Sequence, residues 1–235
     1  MTDALVLSDL HLGSDNCQAK EIARFLEDVA DDVRPTRQLI LNGDVFDSID
    51  FRRLKKHHWK VLSLLRKLSD QIDIVWINGN HDGPSDIFSQ LLGVEVRDEL
   101  VLESGGRRIL FHHGHRFDKF ISEHPFLTKF GDLFYKFLQK IDSSHRFAKS
   151  AKAKSKIFLR CAARIEALSL EYARKMGCDA VCCGHTHMAC VNEAGPVSYY
   201  NSGCWTEKPC RYLSVADGRV ELHEYAEEMA GVLGV

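Results

Sequence analysis

The 235-residue chain has no apolar run long enough to cross a bilayer, which takes about 20 consecutive apolar residues. No membrane-spanning helix is therefore expected. The opening stretch MTDALVLSDLHLG places acids where an export signal would carry bases, so a cytoplasmic setting is expected. Charge of one sign is also missing. The formal net charge is -2, so no global field draws the chain to nucleic acid, and a charged substrate must be recognised locally. No repeat, low-complexity tract or linker divides the sequence, which leaves one domain over 1–235. Cysteine is present but lacks a framework: Cys17, Cys161, Cys178, Cys182, Cys183, Cys190, Cys204 and Cys210 are scattered. Cys178 and Cys182 have the spacing of a zinc knuckle, but no second pair follows, so a structural zinc module is disfavoured. In a reducing compartment, free thiols are expected rather than disulfides.

What is present is an ordinary globular balance, 45% hydrophobic and 27% charged, enough for a full core. Residues 4–9 (ALVLSD), 37–44 (RQLILNGD) and 72–82 (IDIVWINGNHD) read as strands. Between them, 18–33 and 52–70 have helical apolar spacing. This alternation predicts a parallel α/β sheet, in which ligands gather at the carboxyl ends of the strands. Strands are also expected over 107–115 (RRILFHHGH) and 179–187 (DAVCCGHTH), with a mostly helical insertion over about 116–176 between them. Short strands follow, with turns at 194–196 and 216–218.

Each strand end carries metal-ligand residue types: Asp9, His11, Asp44, Asn80, His113, His185 and His187. Divalent cations take such oxygen and imidazole donors, and seven suffice for two adjacent cations if one carboxylate bridges them. Asp9-Leu10-His11 and His185-Thr186-His187 are expected to point alike because strand side chains repeat with period two. His112 then points away from His113. Cys182 and Cys183, in CCGHTHM, are expected to pack as small buried hydrophobes.

The series DLH (9–11), GDVFD (43–47), GNHD (79–82), HGH (113–115) and GHTH (184–187) resembles the calcineurin-like metallophosphoesterases. The resemblance covers roughly residues 4 to 207. It implies a four-layer α/β/β/α sandwich with two divalent cations at one edge, manganese foremost, with zinc, iron or magnesium as alternatives. One cation would be held by Asp9, His11, Asp44 and His187, and the other by Asp44, Asn80, His113 and His185. A hydroxide between the cations would attack phosphorus. His81 follows Asn80 and is the expected general acid, with Asp82 its candidate orienter. Asp47 and His115 are expected beside the ligands or the substrate.

The insertion adds a substrate hint. From Arg146 to Arg164 there are seven bases and no acid, and Lys152, Lys156 and Arg160 fall on one helical face. Phe158, Cys161, Ile165, Leu168 and Tyr172 form a separate apolar stripe, and 124–141 is richly apolar. An insertion at this place, with SGCWTE (202–207) beyond it, resembles the bacterial UDP-2,3-diacylglucosamine diphosphatases, where it forms a lid over acyl chains. That branch carries arginine after the motif asparagine, whereas this chain has His81, as general phosphoesterases do. The expected partner is a phosphorylated small molecule or lipid-linked nucleotide. Peripheral contact with the inner membrane face would run through the insertion, and no stable nucleic-acid complex is expected. A nuclease, a cyclic-nucleotide phosphodiesterase and a non-catalytic scaffold are the competing classes.

Overall fold

The computed structural model describes residues 1–83, 85–118 and 156–225. Three β–α steps open the chain: β1 (Thr2–Leu7), α1 (Ala19–Ala30), β2 (Thr36–Asn42), α2 (Lys56–Leu68), β3 (Asp73–Ile77), α3 (Ser85–Leu92) and β4 (Glu95–Arg97). β5 (Glu99–Ser104) and β6 (Arg107–His112) then form a hairpin. After α4 (Lys156–Lys175) come β7 (Ala180–Cys183), β8 (Cys190–Asn192), β9 (Ser198–Asn201), β10 (Arg211–Ala216) and β11 (Arg219–Glu224).

Among the described residues the strands form two sheets, ordered β11-β10-β1-β2-β3-β4 and β5-β6-β7-β9-β8. The run β1 to β4 is parallel, and so are β6, β7 and β9. Strand alternation assigns the layers. Ala4 and Val6 turn inward to meet Phe111, Ala180 and Cys182 of the other sheet. Leu5 and Leu7 turn outward to pack under Ile22, Phe25 and Leu26 of α1 and Val61 and Leu65 of α2. On the far side, Leu110, Val181, Cys183 and Tyr199 pack against Ala173 and Leu170 of α4. The result is the expected α/β/β/α sandwich. Each large aliphatic or aromatic side chain buried in it contributes roughly 1.5–3 kcal/mol.

The elements stop earlier than the sequence pattern suggests. The expected helix 18–33 ends at Ala30, and Asp32 has left-handed backbone with φ 57°. The expected helix from 52 starts at Lys56. Ahead of it the Asp50 carboxylate accepts the Arg52 N–H at 3.3 Å and closes a separate 3-10 turn over Phe51–Arg53. The segment 83–106 holds α3, β4 and β5, which the periodicity did not reveal. In the insertion, the described part is a 3-10 turn at His115–Phe117 and helix α4. The apolar run 124–141 and Lys152 lie outside the described residues. No described helix is long and apolar enough to cross a membrane. All eight cysteines are free thiols.

Candidate metal centre

The parallel strands end at one edge, and the loops that follow them interlock there. Asp9 N–H donates to Gly43 O at 3.0 Å and His11 N–H to Asp44 O at 3.0 Å. Gly184 N–H donates to His113 O at 3.0 Å, and Trp205 N–H to Asp9 O at 3.0 Å. The strand-period account of Asp9 and His11 is corrected here, because β1 has ended at Leu7. Both residues face the centre through left-handed backbone, with φ 54° and 49°. The same holds for Asp44, His185 and His187, with φ 52°, 66° and 57°. Non-glycine residues adopt this conformation at a cost, and such strain gathers at functional sites. Two glycines permit the close approach. A Cβ on Gly43 would lie 2.3 Å from His113 Nδ1, and one on Gly184 would lie 2.5 Å from Asp9 Oδ2.

Two groups of potential ligand atoms converge, each within 4.8 Å: Asp9, His11 and His187, and Asp44, His113 and His185. In the first, His187 Nε2 is 3.2 Å from Asp9 Oδ1 and 3.1 Å from His11 Nε2. Two imidazole nitrogens at that separation repel unless a proton or a cation lies between them. In the second, His113 Nε2 lies 3.2 Å from Asp44 Oδ2. Asp44 also approaches the first group, with Oδ2 3.8 Å from His11 Nε2. His113 Nδ1 faces the Asn42 carbonyl at 2.9 Å. A carbonyl only accepts, so Nδ1 carries a proton, and Nε2 is the nitrogen that the neutral ring would offer to a cation. His11 Nδ1 and His113 Nε2 are buried without a well-aligned hydrogen bond. Hard oxygens and imidazole lone pairs at this density suit a divalent cation.

Charge in the centre is strongly perturbed. Burial alone would raise the Asp9 carboxyl, but His187 and His113 outweigh it and hold Asp9 down at about 2. Burial would likewise raise Asp44, and His113 drives it well below the usual carboxylate range. Burial would depress His113, yet the Asp44 and Asp9 carboxylates lift it to about 9. His11 falls to about 4, through burial and the adjacent His187. The pattern is that of two buried carboxylates demanding positive charge.

The other expected residues fall into distinct places. The His81 ring packs edge-on against His11, with centroids 5.1 Å apart. Its Nδ1 lies 2.9 Å from the Asp47 carbonyl, and its backbone N–H donates to Asp44 Oδ1 at 2.9 Å. The ring thus contacts the Asp47 carbonyl, and the Asp82 carboxylate, the expected orienter, is turned to other donors. The buried Asp82 carboxylate accepts from Asp44 N (2.9 Å), Phe46 N (3.0 Å), Gly79 N (2.8 Å) and Trp76 Nε1 (3.1 Å). Those four bonds fix the loops carrying Asp44 and Asn80, whose own side chain is exposed. The Asp47 carboxylate is 3.7 Å from His11 Nδ1 and pairs with Arg53. His115 stacks at a tilt beside His113, with centroids 5.6 Å apart. Arg160 is exposed on α4, while Ile165 of the apolar stripe is buried. The Lys156 side chain lies outside the described residues.

The cysteines of CCGHTHM pack as expected. Cys182 is buried between the sheets, and Cys183 lies under α4, 3.6 Å from His112 Nε2 and 3.5 Å from Ser169 Oγ. His112 thus turns to α4 and away from the centre. Cys178 belongs to the α4-side core, so it does not pair with Cys182.

Two neighbours of the histidine pair escaped the sequence pattern. Asp118 Oδ2 lies 3.0 Å from His185 Nε2. Burial would raise the Cys204 thiol, but the adjacent His187 and Thr206 hold it below its ordinary value. Both contacts are long-range, and no local spacing announces them.

The family model for calcineurin-like phosphoesterases matches residues 3–189. The chain belongs to that family. Solved structures with the same architecture include an archaeal phosphodiesterase, at TM-score 0.53 and 16% identity, covering 94% of this chain and 99% of that one. Another is YfcE, a phosphoesterase from E. coli, at TM-score 0.50 and 17% identity, covering 90% and 86%. A comparison with curated proteins finds no match.

Proposed function

We propose that the protein is a hydrolase of phosphodiester or pyrophosphate bonds that works with two divalent cations, manganese foremost. The supporting observation is the pair of Asp/His groups, with Asp44 within reach of both. Asp9, His11, Asp44 and His187 would hold one cation, and Asp44, Asn80, His113 and His185 the other. Bound there, the cations supply Lewis-acid charge for the phosphoryl oxygens and a water activated near neutral pH.

The chain's own groups do the rest. The Asp47 carbonyl accepts the His81 Nδ1 proton, so Nε2 is the ring atom that, in the imidazolium form, would give its proton to a leaving oxygen. Asp82 keeps the Asp44 and Gly79 loops in register, so His81 stays edge-on to His11. To His115, whose ring lies beside that of His113, we assign contact with the bound phosphoryl group. The substrate class we assign is a lipid-linked nucleotide such as UDP-2,3-diacylglucosamine, met at the inner face of the membrane. The apolar 124–141 sequence and SGCWTE support that assignment.

Asp44→Ala is expected to lose bound manganese and hydrolysis together. His81→Ala is expected to keep the metal while kcat falls about 10²–10⁴-fold. The measurement is metal content by atomic emission beside a panel of UDP-diacylglucosamine, cyclic nucleotides and single-stranded DNA. Normal turnover by Asp44→Ala in added manganese would sink the dinuclear reading. Preference for another member of the panel would replace the substrate alone.

A further inference from the structure

His113 and His185 share one group with Asp44, and each needs one ring nitrogen for a cation. For His113 the Asn42 carbonyl at 2.9 Å takes the other nitrogen. Among the described residues no carbonyl faces the His185 ring in this way. Its Nε2 meets the Asp118 carboxylate at 3.0 Å, with the two side chains only 8% and 12% exposed. We propose that Asp118 is the positioning residue of His185, accepting Nε2–H so that Nδ1 is the nitrogen offered to the cation. This rests on the metal reading above and deepens it.

The surroundings fit that task. The His185 backbone N–H donates to both Asp9 carboxylate oxygens, at 3.1 and 3.0 Å, so the residue is anchored at its main chain as well. The ring stands at 72° to His113, with centroids 5.3 Å apart, which limits its rotation on one side. The Asp118 contact at Nε2 holds the ring as well. Asp118 closes the 3-10 turn that follows His113, its N–H donating to His115 O at 3.0 Å. One short loop therefore supplies both His113 and the group that aims His185. A carboxylate on the outer nitrogen also raises the basicity of the inner one, which strengthens a metal bond.

A neutral amide keeps an acceptor oxygen, and a methyl group does not. Asp118→Ala is expected to weaken one of the two manganese sites about 10–100-fold, while Asp118→Asn, which keeps an acceptor but loses the charge, falls between Asp118→Ala and wild type. Equilibrium dialysis and manganese EPR measure both sites without turnover. In the zinc-loaded protein, long-range ¹⁵N–¹H spectra of the histidines are expected to show His185 protonated at Nε2 and bound through Nδ1. Thermal melting of the metal-free variants checks that the substitution acts on the site and not on folding. If wild type takes up no metal, the functional reading falls and this inference with it. If wild type binds two ions and Asp118→Ala binds both unchanged, only this inference falls. A His185 coordinated through Nε2 overturns it as well.

Discussion

Five side chains of the centre stand on left-handed backbone, and only their neighbours make that tolerable. Asp9 is held by Trp205 N–H on its carbonyl and His185 N–H on its carboxylate. Gly184 leaves the room for that last contact. Gly184→Ala puts a methyl 2.5 Å from Asp9 Oδ2 and 3.0 Å from Ser8 Cβ. Overpacking of this kind costs about 1–3 kcal/mol. Chemical denaturation is expected to register that loss, with weaker manganese binding in the same variant. Unchanged values for both would show that the loop can shift without consequence. At this scale the sequence spoke through residue types. Aspartate and histidine clustered after the strands mark the candidate centre. Their backbone conformations did not, because a histidine at φ 66° leaves no compositional mark. Asp82 was misjudged for a related reason. Adjacency to His81 suggested a contact, yet the turn sends the carboxylate to four donors elsewhere.

Elements were legible where apolar periodicity ran long enough. β1, β2, β3, β6, β7, α1 and α2 all show it. β4 does not, since Glu95-Val96-Arg97 is three residues with two charges and owes its pairing to β3. The start of α2 holds a pH-sensitive contact. The Lys55 N–H donates to His58 Nδ1 at 3.0 Å, an acceptor that exists only in the neutral ring. His58 is 1% exposed, and burial, with His57 beside it, pushes its pKa down to about 4. The unfolded chain binds this proton first as pH falls. The contribution is thus complete above about pH 6.5 and erodes toward pH 4, costing about 1–2 kcal/mol by pH 5. In His58→Gln, which keeps an acceptor but does not titrate, the stability difference between pH 7.5 and pH 5 is expected to shrink by that amount. Urea melts at the two pH values measure it, and an equal slope in both proteins would refute the role.

For the whole molecule, the two sheets share one core while the candidate ligands lie on loops from both. A cation held there ties the sheets together and stabilises the fold by mass action. Manganese at about a hundred times its dissociation constant adds about 2.7 kcal/mol, or roughly 5–10 °C in Tm for a chain of this size. Scanning calorimetry is expected to show that rise in wild type, its removal by EDTA, and no rise in Asp44→Ala. The sandwich itself was legible in the order of elements. The sealing of its edge was not, because Asp118, Cys204 and Trp205 reach the centre from segments far away in sequence.

That distance has a consequence in time. Asp9 is made well before its partners His185, His187 and Trp205. At about 5–20 residues per second, the first carboxylate waits on the order of ten to forty seconds for the last imidazole. During that wait β1, β2 and β3 can pair, but the centre does not exist. Assembly of the candidate centre therefore waits for the later loops, and a chain cut short before His185 would carry Asp9, His11, Asp44 and His113 without the two histidines that complete their groups.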